Sequence, residues 1–415
     1  MNTTRHIAFH SANRNTINQF LDYLTKNSHS DFSEFRNKKA AYFSNTTLNE
    51  FIKEELLHDD FTLTSESHRK LLTLSSGERK KALLKYLIAR NPEYLILENP
   101  FDALDSGSVT ALKEELIKRS ENLPIIQIFS RNEDILPFIN QILTLKNDVY
   151  SCVPKSDYLK KEHLAPHFIL NTNIPEPLKA KKNYGSPLIA FRNVNVSYNG
   201  TPILKHINWE INAGEFWELK GENGSGKSTL VTMMIGDNPK GYGQDLFIFG
   251  NKRGSGETVW DIKQKLGYFT SSMMDLFNGH HTAINMVISG LKDSIGLYQI
   301  PTDLETDLAR QWLKLIGLQN LEQTNYYYLS ETQKRLILIC RAMIKHPPLL
   351  ILDEPTMGLD DYGASIFISL VNKIAHTTNT AILYVSHRHE TELTPTHIFK
   401  LDKTPEGSSG IVMQN

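Results

Sequence analysis

Three things are scarce in this sequence. It has two cysteines in 415 residues, Cys152 and Cys340. Two thiols cannot build a disulfide framework or a four-cysteine zinc site, and their scarcity fits a reducing compartment. An excess of charge is also missing: 45 lysines and arginines face 46 aspartates and glutamates, a formal net charge of −1. That balance argues against a surface that attracts nucleic acid everywhere, and leaves a local basic patch open. Long apolar runs are absent as well. No stretch approaches the ~18–20 uninterrupted apolar residues of a membrane span. Met1 to Asn15 lacks the charged segment followed by an apolar core that marks a secretory signal.

What is present fits a globular protein with sizeable cores. Hydrophobic residues make up 40% and charged residues 22%, and the length suggests two to three domains. An internal repeat organises the chain. Leu74-Ser75-Ser76-Gly77-Glu78 precedes an amphipathic run to Asn91-Pro92, then Tyr94-Leu95-Ile96-Leu97-Glu98-Asn99-Pro100 and Ala103-Leu104-Asp105. Leu329-Ser330-Glu331-Thr332-Gln333 precedes a similar run to His346-Pro347, then Leu349-Leu350-Ile351-Leu352-Asp353-Glu354-Pro355 and Gly358-Leu359-Asp360. Ser75 to Asn99 and Ser330 to Glu354 are both 24 residues, and the next step to Asp105 or Asp360 is 6 in each copy.

The repeated unit reads as a helix followed by a buried strand. Leu83, Leu84, Leu87 and Ile88 form one helical stripe, and Leu336, Ile339, Cys340 and Met343 form its counterpart. Each helix stops before a proline, which disfavours helical geometry in the residue preceding it. Leu95 to Leu97 and Leu349 to Leu352 are the continuous apolar runs of central parallel strands. These patterns predict α/β domains over 1–150 and 188–415. Ser151 to Pro187, with five prolines and six lysines against three acids, reads as a linker, either a solvated tether or a basic docking strand.

Gly221-Glu222-Asn223-Gly224-Ser225-Gly226-Lys227-Ser228-Thr229 fits G-x-x-x-x-G-K-[ST] in full. Glycines let successive N–H groups turn around phosphate oxygens, and the helix that follows offers its positive end. Lys227 supplies charge to the β and γ phosphates, and the Ser228 hydroxyl ligates Mg²⁺. Glu215 to Lys220 reads as the preceding strand and Leu230 to Ile235 as the helix. Asp353 is placed to hold Mg²⁺ through water. Glu354 is placed to accept a proton from the attacking water. His387 follows the apolar strand Ala381 to Val385 and is placed to sense the γ phosphate. Tyr198, 23 residues before Gly221, either stacks on the adenine of ATP or is an ordinary strand aromatic.

These residues resemble a tandem ATP-binding cassette (ABC) ATPase, fully over Ser186 to about Pro395 and more weakly from about His6 to Glu133. Gly236-Asp237-Asn238-Pro239-Lys240-Gly241-Tyr242 and Arg253-Gly254-Ser255-Gly256-Glu257-Thr258-Val259-Trp260-Asp261-Ile262 resemble the tandem cassettes named ModF or PhrA, molybdenum-transport ATP-binding or photorepair proteins. The resemblance implies two P-loop nucleotide-binding domains, the first truncated and degenerate. It implies ATP and Mg²⁺ held between the phosphate loop of one copy and the L-S-G-G-Q-like signature of the other.

One composite site is then complete in its parts: the second copy's loop with Ser75 and Gly77 of the first signature and Asp105 nearby. The other is damaged on both sides. Aligning Ile7-Ala8-Phe9 as the strand lays His10 to Ile17, without a glycine, over the loop, and puts Ile17 where the lysine belongs. Glu98-Asn99 replaces Asp353-Glu354, and Arg131 stands for His387. Leu329-Ser330-Glu331-Thr332-Gln333 has lost both glycines of the signature. Thr270 or Ser271 stands where the family carries a glutamine, and Gly254 to Gly256 reads as a turn. From Ile17 to Ser75 is 58 positions against 103 from Lys227 to Ser330, so the first copy lacks most of the insert before its signature.

The reading is a cytoplasmic ATPase with one live site that energises an unidentified partner. That partner is a membrane permease on another chain, docked through Asp275 to Gly296, or another protein; the cluster Met273, Met274, Leu276 and Phe277 is either core packing, the favoured reading, or part of that docking surface. Peripheral attachment at the inner face of a membrane goes with the permease. The alternative is an ATP-gated clamp on a ribosome or nucleic acid.

Overall fold

The computed structural model describes residues 5–26, 30–65, 68–146, 149–162, 172–179, 184–276, 281–388 and 390–414. The chain divides into two units, 1–166 with 358–362 and 167–357 with 363–415.

The first unit runs β1 (Ile7–His10), α1 (Arg14–Lys26), β2 (Ala40–Phe43), α2 (Asn45–His58), α3 (Ser76–Ala89), β3 (Tyr94–Glu98), α4 (Ser106–Ser120), β4 (Ile125–Phe129), β5 (Gln141–Lys146), β6 (Val149–Pro154) and α5 (Lys155–Glu162). Its six strands form one sheet in the order β2-β3-β4-β1-β5-β6. Every pairing is parallel except β5 with β6. Alternate residues of β3 enter opposite cores. Leu95 and Leu97 pack with Leu83, Leu84 and Leu87 of α3, while Tyr94 and Ile96 pack with Ile17, Phe20 and Leu24 of α1. A sheet covered on both faces needs no polar alternation, hence the unbroken apolar run.

The second unit adds β7 (Ile189–Tyr198), β8 (Thr201–Ile211), β9 (Phe216–Gly221), α6 (Lys227–Met234), β10 (Leu246–Ile248), β11 (Asn251–Lys252), α7 (Val259–Lys263), β12 (Leu266–Thr270), α8 (Ala283–Ile288), α9 (Asp303–Leu315), α10 (Glu331–Met343), β13 (Leu349–Asp353), α11 (Asp361–Thr377), β14 (Ala381–Val385), β15 (His397–Asp402) and β16 (Ser409–Gln414). Its main sheet has the order β12-β13-β14-β9-β15-β16, which is the first unit's order strand for strand. An antiparallel sheet, β11-β10-β7-β8, has no counterpart among the described residues of the first unit. Within one shared core, Trp209 of β8 stacks on Phe399 of β15, ring centres 4.0 Å apart and planes 5° from parallel.

The two signature helices start alike. Ser75 and Ser330 are N-caps, each in a reciprocal capping box, with Glu78 and Gln333 respectively. Each helix also sends one buried cation to the end of the neighbouring strand. Lys80 Nζ donates to the carbonyls of Pro100 (2.9 Å) and Asp102 (2.7 Å). Arg335 Nη1 donates to the carbonyl of Pro355 (2.6 Å).

The linker expected over 151–187 starts later than its prolines suggest. β6 continues to Pro154, α5 follows at once, and Tyr158 of α5 is buried in the first core. β6 is an edge strand with mostly exposed side chains, so it carries little hydrophobic pattern. Residues 163–171, 180–183 and 277–280, and with them Phe277 of the cluster with Met273, Met274 and Leu276, lie outside the described residues. Gly254 and Gly256, at φ +97° and +114°, do form a turn.

Phe399 is fully buried against Trp209, and removing such a ring leaves a cavity costing about 3–5 kcal/mol. Phe399→Ala is expected to lower the urea midpoint accordingly. A loss below about 0.5 kcal/mol, the size of a surface substitution, would show that the two sheets do not share this core.

Candidate functional site

The parallel register of the second unit brings the ends of three neighbouring strands together. Asp353 of β13 pairs with Val385 of β14, and Val385 pairs with Leu219 of β9. Loops leaving these carboxyl ends share one crevice, where ligands bind in open α/β sheets. A cleft there is lined by Tyr198, Ile203, Asn223, Gly224, Gly226, Lys227, Ser228, Thr229 and His387.

The loop between β9 and α6 needs glycine at two points. Gly224 and Gly226 sit at φ +75° and +98°, where a side chain is strained. A Cβ on Gly226 would also lie 2.6 Å from a methyl of Leu204. Gly226 caps α6, so Lys227 is the first helical residue. Its buried ammonium donates to the carbonyls of Gly221 (2.6 Å) and Glu222 (2.9 Å). Ser225 Oγ is buried inside the loop with no hydrogen-bond partner. An unpaired buried hydroxyl is costly, and this one lies against Gly221, where a Cβ would come within 2.6 Å of it.

Asp353 and Glu354 end β13. Burial raises both carboxyls above their ordinary range, with Lys227 opposing the rise. Glu354, also repelled by Asp353, is pushed up to about 7. Its Oε1 lies 3.3 Å from His387 Nε2. Glu354 holds a left-handed backbone, φ +49°, an arrangement a non-glycine residue keeps only where the surroundings enforce it. Thr270 is the register partner of Asp353. A hydroxyl at Ser228 and a carboxylate at Asp353 are hard oxygen donors that suit Mg²⁺, which takes its remaining ligands from phosphate and water. Among the described residues no cluster of three or more His, Cys, Asp or Glu could hold a metal alone.

The first unit fills the equivalent place differently. Phe9 of β1 and Leu219 of β9 occupy the same register position. From Phe9 to the first residue of α1 is five positions, and from Leu219 to the first residue of α6 is eight. The loop is therefore three residues shorter. That overturns the gap-free alignment that puts Ile17 in the lysine's place: Arg14 stands first in α1, and Ile17 is buried under it at 3% exposure. Arg14 Nη1 lies 2.6 and 2.8 Å from the two oxygens of Glu98, the counterpart of Asp353. Tyr42 Oη donates to the same carboxylate. Burial beside Glu98 pushes the Tyr42 phenol up.

Register also corrects the match for His387. Glu98 pairs with Ile128 as Asp353 pairs with Val385. Two residues on stands Ser130, so Arg131 matches Arg388. A two-residue shortening ahead of β4 hides this in the sequence. The Ser130 N–H and hydroxyl donate to Asn99 Oδ1 (3.0 and 3.2 Å). Asn99 keeps the left-handed backbone of Glu354, φ +41°.

The first copy's site candidates have local roles too. Ser75 Oγ accepts from the Glu78 N–H (3.2 Å), and Asp105 caps α4 by accepting from the Ser108 N–H (2.8 Å). A Cβ on Gly77 would lie 2.5 Å from Ser108 Oγ. Arg14 and Tyr42 escape a motif search. Their significance depends on loop length and on contacts far apart in the chain.

Gly226→Ala combines left-handed strain with the clash on Leu204 and is expected to cost about 1–3 kcal/mol. Thermal unfolding checks this. An unchanged midpoint would show that the loop relaxes without cost.

Residues 204–357 match the family model described as ABC transporter. The chain is 35% identical over 362 residues to the ABC transporter ATP-binding protein ModF of Escherichia coli, covering 85% of this chain and 74% of that protein. It is 30% identical over 398 residues to the uncharacterized ABC transporter ATP-binding protein C323.04 of Schizosaccharomyces pombe, covering 88% and 80%. In fold it is similar to a chain in a model of ribosome-bound archaeal Pelota and ABCE1, with TM-score 0.65 and 14% identity over 99% of this chain and 74% of that one. No helix among the described residues is long and apolar enough to cross a membrane. A phosphate loop at the end of a parallel strand, an acidic pair on the next strand but one and this breadth of identity agree: the chain belongs to the ABC transporter ATP-binding proteins and is an ABC-type ATPase with two tandem domains.

Proposed function

We propose that this ATPase has one competent site, founded on the second domain, and that its turnover drives a conformational change in a partner. The observation that carries the single site is the contrast between equivalent strand ends. Lys227, Ser228 and His387 line one cleft in the second unit. In the first, Arg14 and Tyr42 are spent on Glu98.

Lys227 and the loop amides hold the β and γ phosphates of ATP. Ser228 and Asp353 would hold Mg²⁺, which neutralises charge on the transferred group. Glu354 orients the attacking water and accepts its proton, and His387 contacts the γ phosphate. Tyr198 stacks on the adenine. Ser75, Gly77 and Asp105 of the first copy complete the site across the pair. That part rests on the repeat and on the family pattern. The partner is a permease on another chain or another protein, with the ATPase peripheral to the membrane in the first case and cytoplasmic in both. A clamp on a ribosome or nucleic acid draws no support from the net charge of −1.

Two experiments test this. Glu354→Gln is expected to lower kcat by at least about 10²-fold, the size of a general-base contribution, while ATP still binds; Lys227→Ala is expected to lose binding. Steady-state ATPase with single-turnover and nucleotide-binding assays separates the two, and undiminished turnover in Glu354→Gln would sink the assignment. Ser75→Asp keeps the N-cap, since Asp caps as well as Ser, but sets a negative charge where the γ phosphate is expected. ATPase should fall about 10-fold or more with thermal stability unchanged. Full activity would show that the first signature serves folding alone.

A further inference from the structure

Resting on the reading of the cleft as an ATP site, we infer that Asn238 is a positioning residue that sets the Tyr198 ring as the platform for the nucleotide base. Tyr198 ends β7 at the cleft, 39% exposed. A ring that exposed at a strand end is held by little packing, and its orientation needs another source. Asn238 supplies it. Its Nδ2 donates to Tyr198 Oη at 2.8 Å. The same amide is anchored on every side. Nδ2 also donates to Thr232 Oγ1 (3.1 Å), Oδ1 accepts from the Lys240 N–H (3.0 Å), and the Asn238 N–H donates to the Thr232 carbonyl (3.0 Å). Asn238 is itself buried, at 8% exposure.

The anchor continues into the phosphate loop's own helix. Thr232 Oγ1 lies 2.7 Å from the Ser228 carbonyl and 3.1 Å from that of Thr229. A line of hydrogen bonds thus joins the ring to the first turn of α6, the turn that carries Lys227 and Ser228. The ring is also fixed on one face. Lys240 Nζ sits 5.5 Å from its centre, within cation–π range, and Lys240 does not line the cleft. The base meets the other face. Distance between platform and phosphate helix is then set by Asn238, 40 residues away from Tyr198 in sequence, instead of by the strand alone.

A positioning role through the base predicts a split between ligands that carry a base and ligands that do not. In the full-length protein, Asn238→Ala should raise Kd and KM for ATP about 3–10-fold, the worth of one neutral hydrogen bond. kcat at saturation should hold. The affinity for inorganic tripolyphosphate, measured by competition, should not move. Asn238→Asp, which still caps the turn and accepts from the tyrosine hydroxyl but no longer donates to Thr232 Oγ1, should recover part of the ATP affinity lost in Asn238→Ala. Tyr198→Phe should match Asn238→Ala, and the double variant should be no worse than either. Equal weakening of ATP and tripolyphosphate would overturn the inference, because it would place Asn238 in the support of α6 alone. So would additive effects, or an Asn238→Ala variant indistinguishable from wild type. If the wild-type protein binds neither ATP nor tripolyphosphate, or if Lys227→Ala binds ATP as tightly, the ATP-site reading itself has failed, which is a separate result.

Discussion

The chemistry of this protein depends on one constraint, the parallel register of β13, β14 and β9. Asp353, Val385 and Leu219 lie level across three adjacent strands. Each strand then releases its loop at the same edge: the acidic pair from β13, His387 from β14 and the phosphate loop from β9. A one-residue slip in either pairing would turn every side chain on a strand to the other face and scatter these groups. Apolar runs in β13 and β14, buried on both faces, and the buried Phe216, Trp217 and Leu219 of β9 hold that register.

The first unit is a controlled comparison, because its sheet has the same strand order. What differs is confined to strand ends. Removing three loop residues brings a helix-start cation, Arg14, onto the carboxylate of Glu98. A guanidinium and a phenol then take up the lone pairs that a cation and its phosphate would otherwise use. The left-handed residue after the strand survives in both copies, as Glu354 and Asn99. Asparagine tolerates that conformation better than glutamate does, so the strain stays only where a carboxylate is required.

Much of this was legible in the sequence. Apolar runs marked β3, β13 and β14 because they cross two cores, and the phosphate motif marked Gly221 to Thr229 because its chemistry lies within nine consecutive residues. Other features were hidden for definite reasons. β6 presents exposed side chains on a sheet edge and so lacks periodicity. Ile17 and Arg131 were misplaced because short deletions in loops carry no signal of their own, while strand register counts them. The Asn238–Tyr198 bond joins two segments that ordinary polar residues connect.

The buried cations beneath the two signature helices carry a last consequence. Lys80 and Arg335 each tie their helix to the carbonyl of the proline that follows the acidic strand. A primary amine and a guanidinium do the same work at the same place, so the tie demands charge and reach and tolerates either shape. Ser76 Oγ adds a second tie in the first copy, to the Ala103 carbonyl (2.9 Å). The posture of a signature is therefore inherited from the strand beside it and is independent of any nucleotide loop. The start of a signature helix is thus held by contacts that involve no residue of a phosphate loop, which makes its local posture a separable module of this fold.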